Sequence, residues 1–129
     1  MCGIFGAFSK IGTSNKGVQL ATESLFHRGS DAQGVYSDEQ HKFSLGHRRL
    51  SILDLSETAN QPMYSRCGGY VMVYNGEVYN FKTLKAKLPD FEWKTSSDSE
   101  VILELFAQFG ANSFSLLNGM FSIAIFNIR

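Results

Sequence analysis

Met1-Cys2-Gly3-Ile4-Phe5-Gly6-Ala7-Phe8 opens the chain, and its reading governs the rest. Ile4 to Phe8 is a short apolar run marked by Gly3 and Gly6 and followed by a polar Gly/Ser/Asn loop that ends near Lys16, which predicts a buried strand with Cys2 at its mouth. Once Met1 is removed, Cys2 becomes the N-terminal residue and its own α-amine is a base tethered beside its thiol. With reference pKa values of about 8 and about 8.5, proton exchange between the two groups is nearly balanced at neutral pH. On position alone an alternative stays open, that Cys2 is an incidental small residue beside the start codon.

Outward from this strand, Val18, Ala21 and Leu25 recur at helical spacing within Gly17 to Phe26, and the polar stretch His27 to Gln33 breaks the pattern. Strands are expected at Gly34 to Ser37 and Phe43 to Arg48. Tyr70 to Tyr74 is rich in β-branched and aromatic residues, and Asn75-Gly76 leading into Glu77-Val78-Tyr79 reads as a tight hairpin or strand-end turn. Asn80 is placed to cap a helix carrying Phe81, Leu84 and Leu88 on one face, stopped by Pro89. Ser97-x-x-Glu100 resembles a capping box for a second helix, with Val101, Ile102, Leu105, Phe106 and Phe109 as its buried stripe and Gly110 at its end. A helical turn at Phe114 to Leu117 and an apolar strand from Met120 to Ile128 complete the reading. In that strand Ile123, Ile125 and Ile128 alternate with Phe121, Ala124 and Phe126, so both faces expect cover. Strands first and last with helices between give an α+β class, sheet layers covered by helices, rather than a doubly wound parallel sheet.

The 129 residues fit one domain, 1–129, and 43% hydrophobic content is enough for a real core. Twelve basic residues balance twelve acidic ones with no block of like charge, which argues against nucleic acid or an anionic membrane as partner. No membrane-spanning run or signal-peptide pattern is legible, so the expected location is cytoplasmic. His27, His41 and His47 lack ligand-like spacing with one another or with Cys and carboxylates, and no metal is expected. Cys67, beside Gly68-Gly69, reads as a loop or core thiol.

Met1 to Gly6 together with His27-Arg28-Gly29-Ser30-Asp31 resembles the class II glutamine amidotransferases, which are N-terminal-nucleophile (Ntn) hydrolases. The closer match is the glutaminase domain of asparagine synthetase B. Gly46-His47-Arg48-Arg49-Leu50-Ser51-Ile52, Gln61-Pro62-Met63, Tyr74-Asn75-Gly76-Glu77-Val78-Tyr79-Asn80 and Ser97-Asp98-Ser99-Glu100 all fall in that family's order. Four separated motifs in order make the resemblance specific, and it runs from Cys2 to Phe126. It implies a four-layer αββα sandwich, two sheets packed between helical layers. Ser30 departs from the proline usual in the family's Arg-Gly-Pro-Asp run, which is expected to loosen that loop. The family's domain continues past the last strand seen here, so the sandwich is expected to be partial, with the C-terminal part of the domain and the ammonia-using synthetase domain missing. The isolated chain is then expected to associate, as a homo-oligomer, through its last strand and to have little activity.

Carried over residue by residue, the resemblance makes Cys2 the nucleophile and assigns the oxyanion hole to the Asn75 side chain and the Gly76 N–H. Arg49 matches the residue that grips the substrate's α-carboxylate, Leu50, Ser51, Ile52 and Leu53 line the same wall, Glu77 joins the pocket, and Asp98 matches the partner of the α-ammonium. A free amino acid calls for such a pair, because a guanidinium fork fits a carboxylate and a carboxylate accepts from an ammonium. From the residues alone, Asn75-Gly76 is also a turn pair, Arg49 a surface arginine and Asp98 a helix N-terminal residue. The implied activity is hydrolysis of L-glutamine to glutamate and ammonia through a thioester on Cys2, without a cofactor for that step. ATP and magnesium belong to the missing synthetase domain, with asparagine synthesis as the expected parent function. The alternatives are a non-catalytic binding or folding unit and the glutaminase half of an amidotransferase acting on cell-surface sugars.

Overall fold

The computed structural model describes residues 2–52 and 54–129. Strand β1 (Gly3–Phe8) pairs antiparallel with β3 (Phe43–Arg49), whose other edge takes β2 (Ala32–Asp38), so the first sheet has the order β1-β3-β2. The second sheet, also antiparallel, runs β4-β5-β6 from Met63–Tyr64, Tyr70–Val78 and Gly119–Asn127. Helix α1 (Asn15–Glu23) covers the first sheet, while α2 (Phe81–Lys85) and α3 (Asp98–Phe109) belong to the side of the second.

The two-residue period of β5 serves two interfaces at once. Val71 and Val73, fully buried, meet Leu45 of β3 between the sheets, where Ala124, Phe126 and Ile128 close the layer. Met72 and Tyr74 face the other way and pack with Val101, Ile102 and Leu105 of α3. On the far side, a Cβ at Gly46 would collide with the Thr22 hydroxyl, so β3 approaches α1 this closely only because residue 46 has no side chain. Helix, sheet, sheet, helix is the αββα sandwich of the α+β class that the resemblance implies.

Several local expectations are corrected. Asn75-Gly76 is no turn but lies inside β5, paired with Ser122 and Phe121 of β6. The glycine answers to a close approach: a Cβ at Gly76 would sit 2.6 Å from the Phe121 Cα. Asn80 makes no side-chain cap; its Nδ2 donates to the Leu116 carbonyl at 2.9 Å and its Oδ1 accepts from the Asn118 N–H at 3.0 Å, tying α2 to the approach of β6. Helix α1 begins two residues earlier than the apolar spacing suggests, because Ser14 caps it by accepting from the Gly17 N–H. Ser97 caps α3, but the Glu100 carboxylate reaches back past it to Thr95 and Lys94. Phe109 is 43% exposed, and Leu103 and Glu104 take the burial assigned to the end of that stripe. Ile128 joins Ala124 and Phe126 between the sheets and not Ile123 and Ile125, which lie against α3, as strand parity requires.

His47 of β3 crosses from one sheet to the other. It is fully buried, and its Nε2 donates to the Tyr74 carbonyl at 3.1 Å, while Nδ1 has no partner among the described residues. Burial disfavours the imidazolium, and the nearby Arg49 charge adds to this against the pull of the Tyr74 carbonyl, so its pKa is pushed down to about 4. Between the ordinary value near 6.5 and about 4, the unfolded chain binds a proton that the folded chain refuses. The contribution of His47 to stability is therefore complete above pH 6.5 and declines on acidification, by on the order of 3 kcal/mol at the lower limit. His47→Gln keeps an N–H donor and removes the titration. Urea unfolding at pH 7 and at pH 5 is expected to show a smaller loss of stability in this variant than in the parent, and equal losses would contradict this.

Candidate functional site

The site grows from a strand that outlasts its neighbour. Successive residues of a strand turn their N–H and C=O to opposite sides, so residues 70, 74, 76 and 78 of β5 share one side, the side of β4. The Ser65 N–H bonded to the Tyr70 carbonyl, and the Tyr79 N–H bonded to the Asn118 carbonyl on the opposite side, fix this phase. Since β4 spans only Met63–Tyr64, side chains complete the ladder beyond it. The Gln61 Oε1 accepts from the Tyr74 N–H at 2.6 Å, His47 donates to the Tyr74 carbonyl, and the Asp98 Oδ2 accepts from the Val78 N–H at 2.9 Å. Between these occupied positions the Gly76 N–H has no acceptor among the described residues.

Gly76 lines a cavity of about 160 Å³, below the roughly 300–1,000 Å³ of pockets for drug-sized ligands and suited to a single amino acid. Cys2, Arg49, Asn75, Glu77 and Asp98 line the same cavity, with Leu50 and Ile52 at its wall. Cys2 enters from the mouth of β1, half-buried, its Sγ 3.4 Å from the Leu50 N–H and 3.6 Å from the Leu50 carbonyl. The Asn75 side-chain Oδ1 is buried with no partner among the described residues, which costs about 1–3 kcal/mol; being an acceptor, it leaves donation to the Nδ2 of the same amide. Ser51 is not on the cavity; its N–H donates to the Asp31 Oδ2 at 2.7 Å and it lines a neighbouring groove. Leu53 lies outside the described residues.

Arg49 is no surface arginine, being 8% exposed. Its Nη1 donates to the Ser56 carbonyl at 2.8 Å and to the Asn60 Oδ1 at 2.7 Å, and its Nη2 donates to the Asp54 carbonyl. Three of its five N–H groups thus hold the segment 54–60, and the Nε–H and the second Nη2–H have no acceptor among the described residues. Asp54, which the sequence reading passed over, clips the same segment to the approach of α3. Its carboxylate accepts from Ser56 at one oxygen and, at the other, from the Ser96 N–H at 2.8 Å and hydroxyl at 3.1 Å. The Ser56 hydroxyl, followed by the Ser96 and Ser56 N–H groups, holds the Asp54 carboxyl well below the usual range.

Asp98 is both the first residue of α3 and a wall of the cavity, its Oδ2 also accepting from the Tyr74 hydroxyl at 2.6 Å. Tyr74 and Gln61 were visible in the sequence as motif positions, yet nothing in their spacing announced that they would brace β5. Ser30 donates to the Asp31 Oδ1 at 3.1 Å, and Asp31 bonds the Arg49 carbonyl and Ser51 N–H, so this loop is anchored without the proline. Cys67 lies on the β4–β5 turn, beside Ser65 and away from the cavity, its thiol held below the ordinary range first by the Ser65 hydroxyl and then by the Gly69 N–H. Among the described residues no group of three or more His, Cys, Asp or Glu is arranged to hold a metal ion, and no helix is long and apolar enough to cross a membrane.

Comparison with known proteins gives this geometry a context. A family model described as a glutamine amidotransferase domain matches residues 1–129. Asparagine synthetase B [glutamine-hydrolyzing] of Escherichia coli is 36% identical over 132 residues, covering 98% of this chain and 23% of that protein. The asparagine synthetase [glutamine-hydrolyzing] of Zea mays is 36% identical over 133 residues, covering 100% of this chain and 22% of that protein. Amidase chry2 of Gibberella zeae is 34% identical over 140 residues, covering 98% of this chain and 21% of that protein. The chain therefore spans about a fifth of the length of these relatives. Among solved structures, the glutamine phosphoribosylpyrophosphate amidotransferase from B. subtilis superposes with a TM-score of 0.75 over 96% of this chain and 35% of its own, at 22% identity, a likeness of fold alone.

The bonding of Arg49 leads to an expected outcome. Arg49→Lys preserves the charge, but one ammonium cannot reach the Ser56 carbonyl, the Asn60 Oδ1 and the Asp54 carbonyl in the plane that the guanidinium spans. A loss of about 1.5–3 kcal/mol of stability is expected in denaturant unfolding. A change within about 0.5 kcal/mol, the usual range for an inconsequential surface substitution, would contradict this role.

Proposed function

The chain belongs to the glutamine amidotransferase domain family, and from that premise we propose that it hydrolyses L-glutamine through Cys2 and supplies the ammonia for asparagine synthesis by a separate synthetase domain. The observation that carries the glutaminase reading is the meeting, in one amino-acid-sized cavity, of the Cys2 thiol, Gly76 with its N–H beyond the end of β4, and the Asn75 side-chain amide.

The steps follow from these groups. With Met1 removed, the α-amine of Cys2 takes the thiol proton and Sγ attacks the side-chain carbonyl carbon of glutamine. The oxygen becomes an oxyanion, which the Gly76 N–H and the Asn75 amide stabilise because their strand holds them in place before the reaction begins. Collapse breaks the C–N bond, the ammonium form of the amine returns its proton to the leaving nitrogen, and ammonia departs. The resulting γ-glutamyl thioester is then hydrolysed by water to glutamate. Arg49 offers its remaining N–H groups to the α-carboxylate, Asp98 offers its second oxygen to the α-ammonium, and Leu50, Ile52 and Glu77 complete the wall. Use of the ammonia for asparagine finds support in the likeness to asparagine synthetases; ATP and magnesium would serve that acceptor reaction and not the glutaminase step.

An ammonia-release assay with L-glutamine, on the protein with its N-terminal Met removed as checked by intact mass, tests the reading. Cys2→Ala is expected to abolish release and Cys67→Ala to leave it nearly unchanged; equal loss in both would overturn the assignment. Asn75→Ala is expected to lower kcat by about 100-fold or more with little change in KM, since its donor acts on the oxyanion. A rise in KM at constant kcat would instead make Asn75 a ground-state binding residue.

A further inference from the structure

Asp98 is gripped at a single oxygen. Oδ2 takes the Val78 N–H at 2.9 Å and the Tyr74 hydroxyl at 2.6 Å, while Oδ1 has no protein donor among the described residues. Tyr74 is itself fixed at every polar atom, its N–H by Gln61, its carbonyl by His47 and its hydroxyl by Asp98. The residue is 3% exposed and packed with the apolar face of α3. Burial above all, and then the Asp98 carboxylate, push the phenol's pKa far above the ordinary range, so the hydroxyl remains a neutral donor throughout the working pH range. A neutral donor fixes the carboxylate's rotation while leaving its negative charge uncancelled, which a cation in the same place would not do.

We propose that Tyr74 is a positioning residue for amino-acid recognition: by committing the Asp98 Oδ2, it turns Oδ1 toward the cavity and sets how tightly the site takes a free α-ammonium. This rests on the glutaminase reading above. Tyr74 then governs the discrimination between an α-amino acid and the same amide without its amine, and it has no part in the chemistry at Cys2.

The test uses the full chain in a Cys2→Ala background, where no turnover confuses binding, and calorimetric titration with L-glutamine and with glutaramic acid, which carries hydrogen in place of the α-amine. Tyr74→Phe is expected to weaken L-glutamine by roughly tenfold, the loss of one charge-assisted hydrogen bond, and to leave glutaramic acid within about twofold. Asp98→Asn is expected to weaken L-glutamine at least as much, and the double variant no further than Asp98→Asn alone, because the tyrosine acts only through the carboxylate. Equal weakening of both ligands by Tyr74→Phe, or additive losses in the double variant, would make Tyr74 a general packing residue and overturn the inference. No effect of Tyr74→Phe beside a clear effect of Asp98→Asn would overturn it too, leaving the glutaminase reading intact. L-Glutamine that fails to bind the parent, or binds Asp98→Asn equally well, would overturn that reading and the inference with it.

Discussion

A buried strand has to find a partner for each of its N–H and C=O groups, and β5 meets this demand in two ways along one edge. For its first residues β4 supplies the ladder; beyond Met63 the partners are the side chains of Gln61, His47 and Asp98. A backbone strand would have satisfied Tyr74, Gly76 and Val78 alike. Separate side chains satisfy Tyr74 and Val78 and leave Gly76 open, and the cavity is the space that the absent length of β4 does not fill. The opposite edge of β5 stays fully paired with β6, so the open N–H is carried by a strand that cannot move away from it.

The same economy organises the rim of the cavity. Arg49 and Asp54 both spend their hydrogen bonds on the segment 54–60, one from β3 and the other from within the segment, and Asp54 extends the connection to Ser96. Glu100 does the equivalent work for Lys94 and Thr95. The irregular stretches that frame the site are therefore held by two carboxylates, half-buried in Asp54 and buried in Glu100, and one guanidinium rather than by apolar packing. Charged groups accept several directed bonds at once, whereas an aliphatic contact fixes distance without orientation. Asp98 stands where the two systems meet, at the first turn of α3, where the helix N-terminus favours a carboxylate.

Much of this was legible in the residues. Alternating apolar positions placed β5 and β6, helical spacing placed α3, and the ordered motifs implied the layered sandwich and named Cys2, Arg49, Asn75, Gly76 and Asp98, which line one cavity. Other readings failed for a common reason. Asn75-Gly76 resembles a turn because those residues tolerate positive backbone angles, but in a strand the glycine is required by the nearness of β6. Asn80 resembles a cap, yet its amide found Leu116 and Asn118, far along the chain. Ser51 sits within a motif, but its N–H is taken by Asp31 and it lines a neighbouring groove.

The sequence by itself determined which segments bury which faces, because apolar period and capping chemistry act over a few neighbouring residues, and it determined the chemical groups available, among them the Cys2 thiol, the Arg49 guanidinium and the Asp98 carboxylate. Only the tertiary structure decided which backbone N–H stays free, how many of Arg49's donors remain after the 54–60 segment is bound, and that Tyr74 holds Asp98. Those outcomes depend on where β4 ends relative to β5 and on how closely two sheets and α3 approach. They are sums of contacts between residues tens of positions apart, and no local pattern records them.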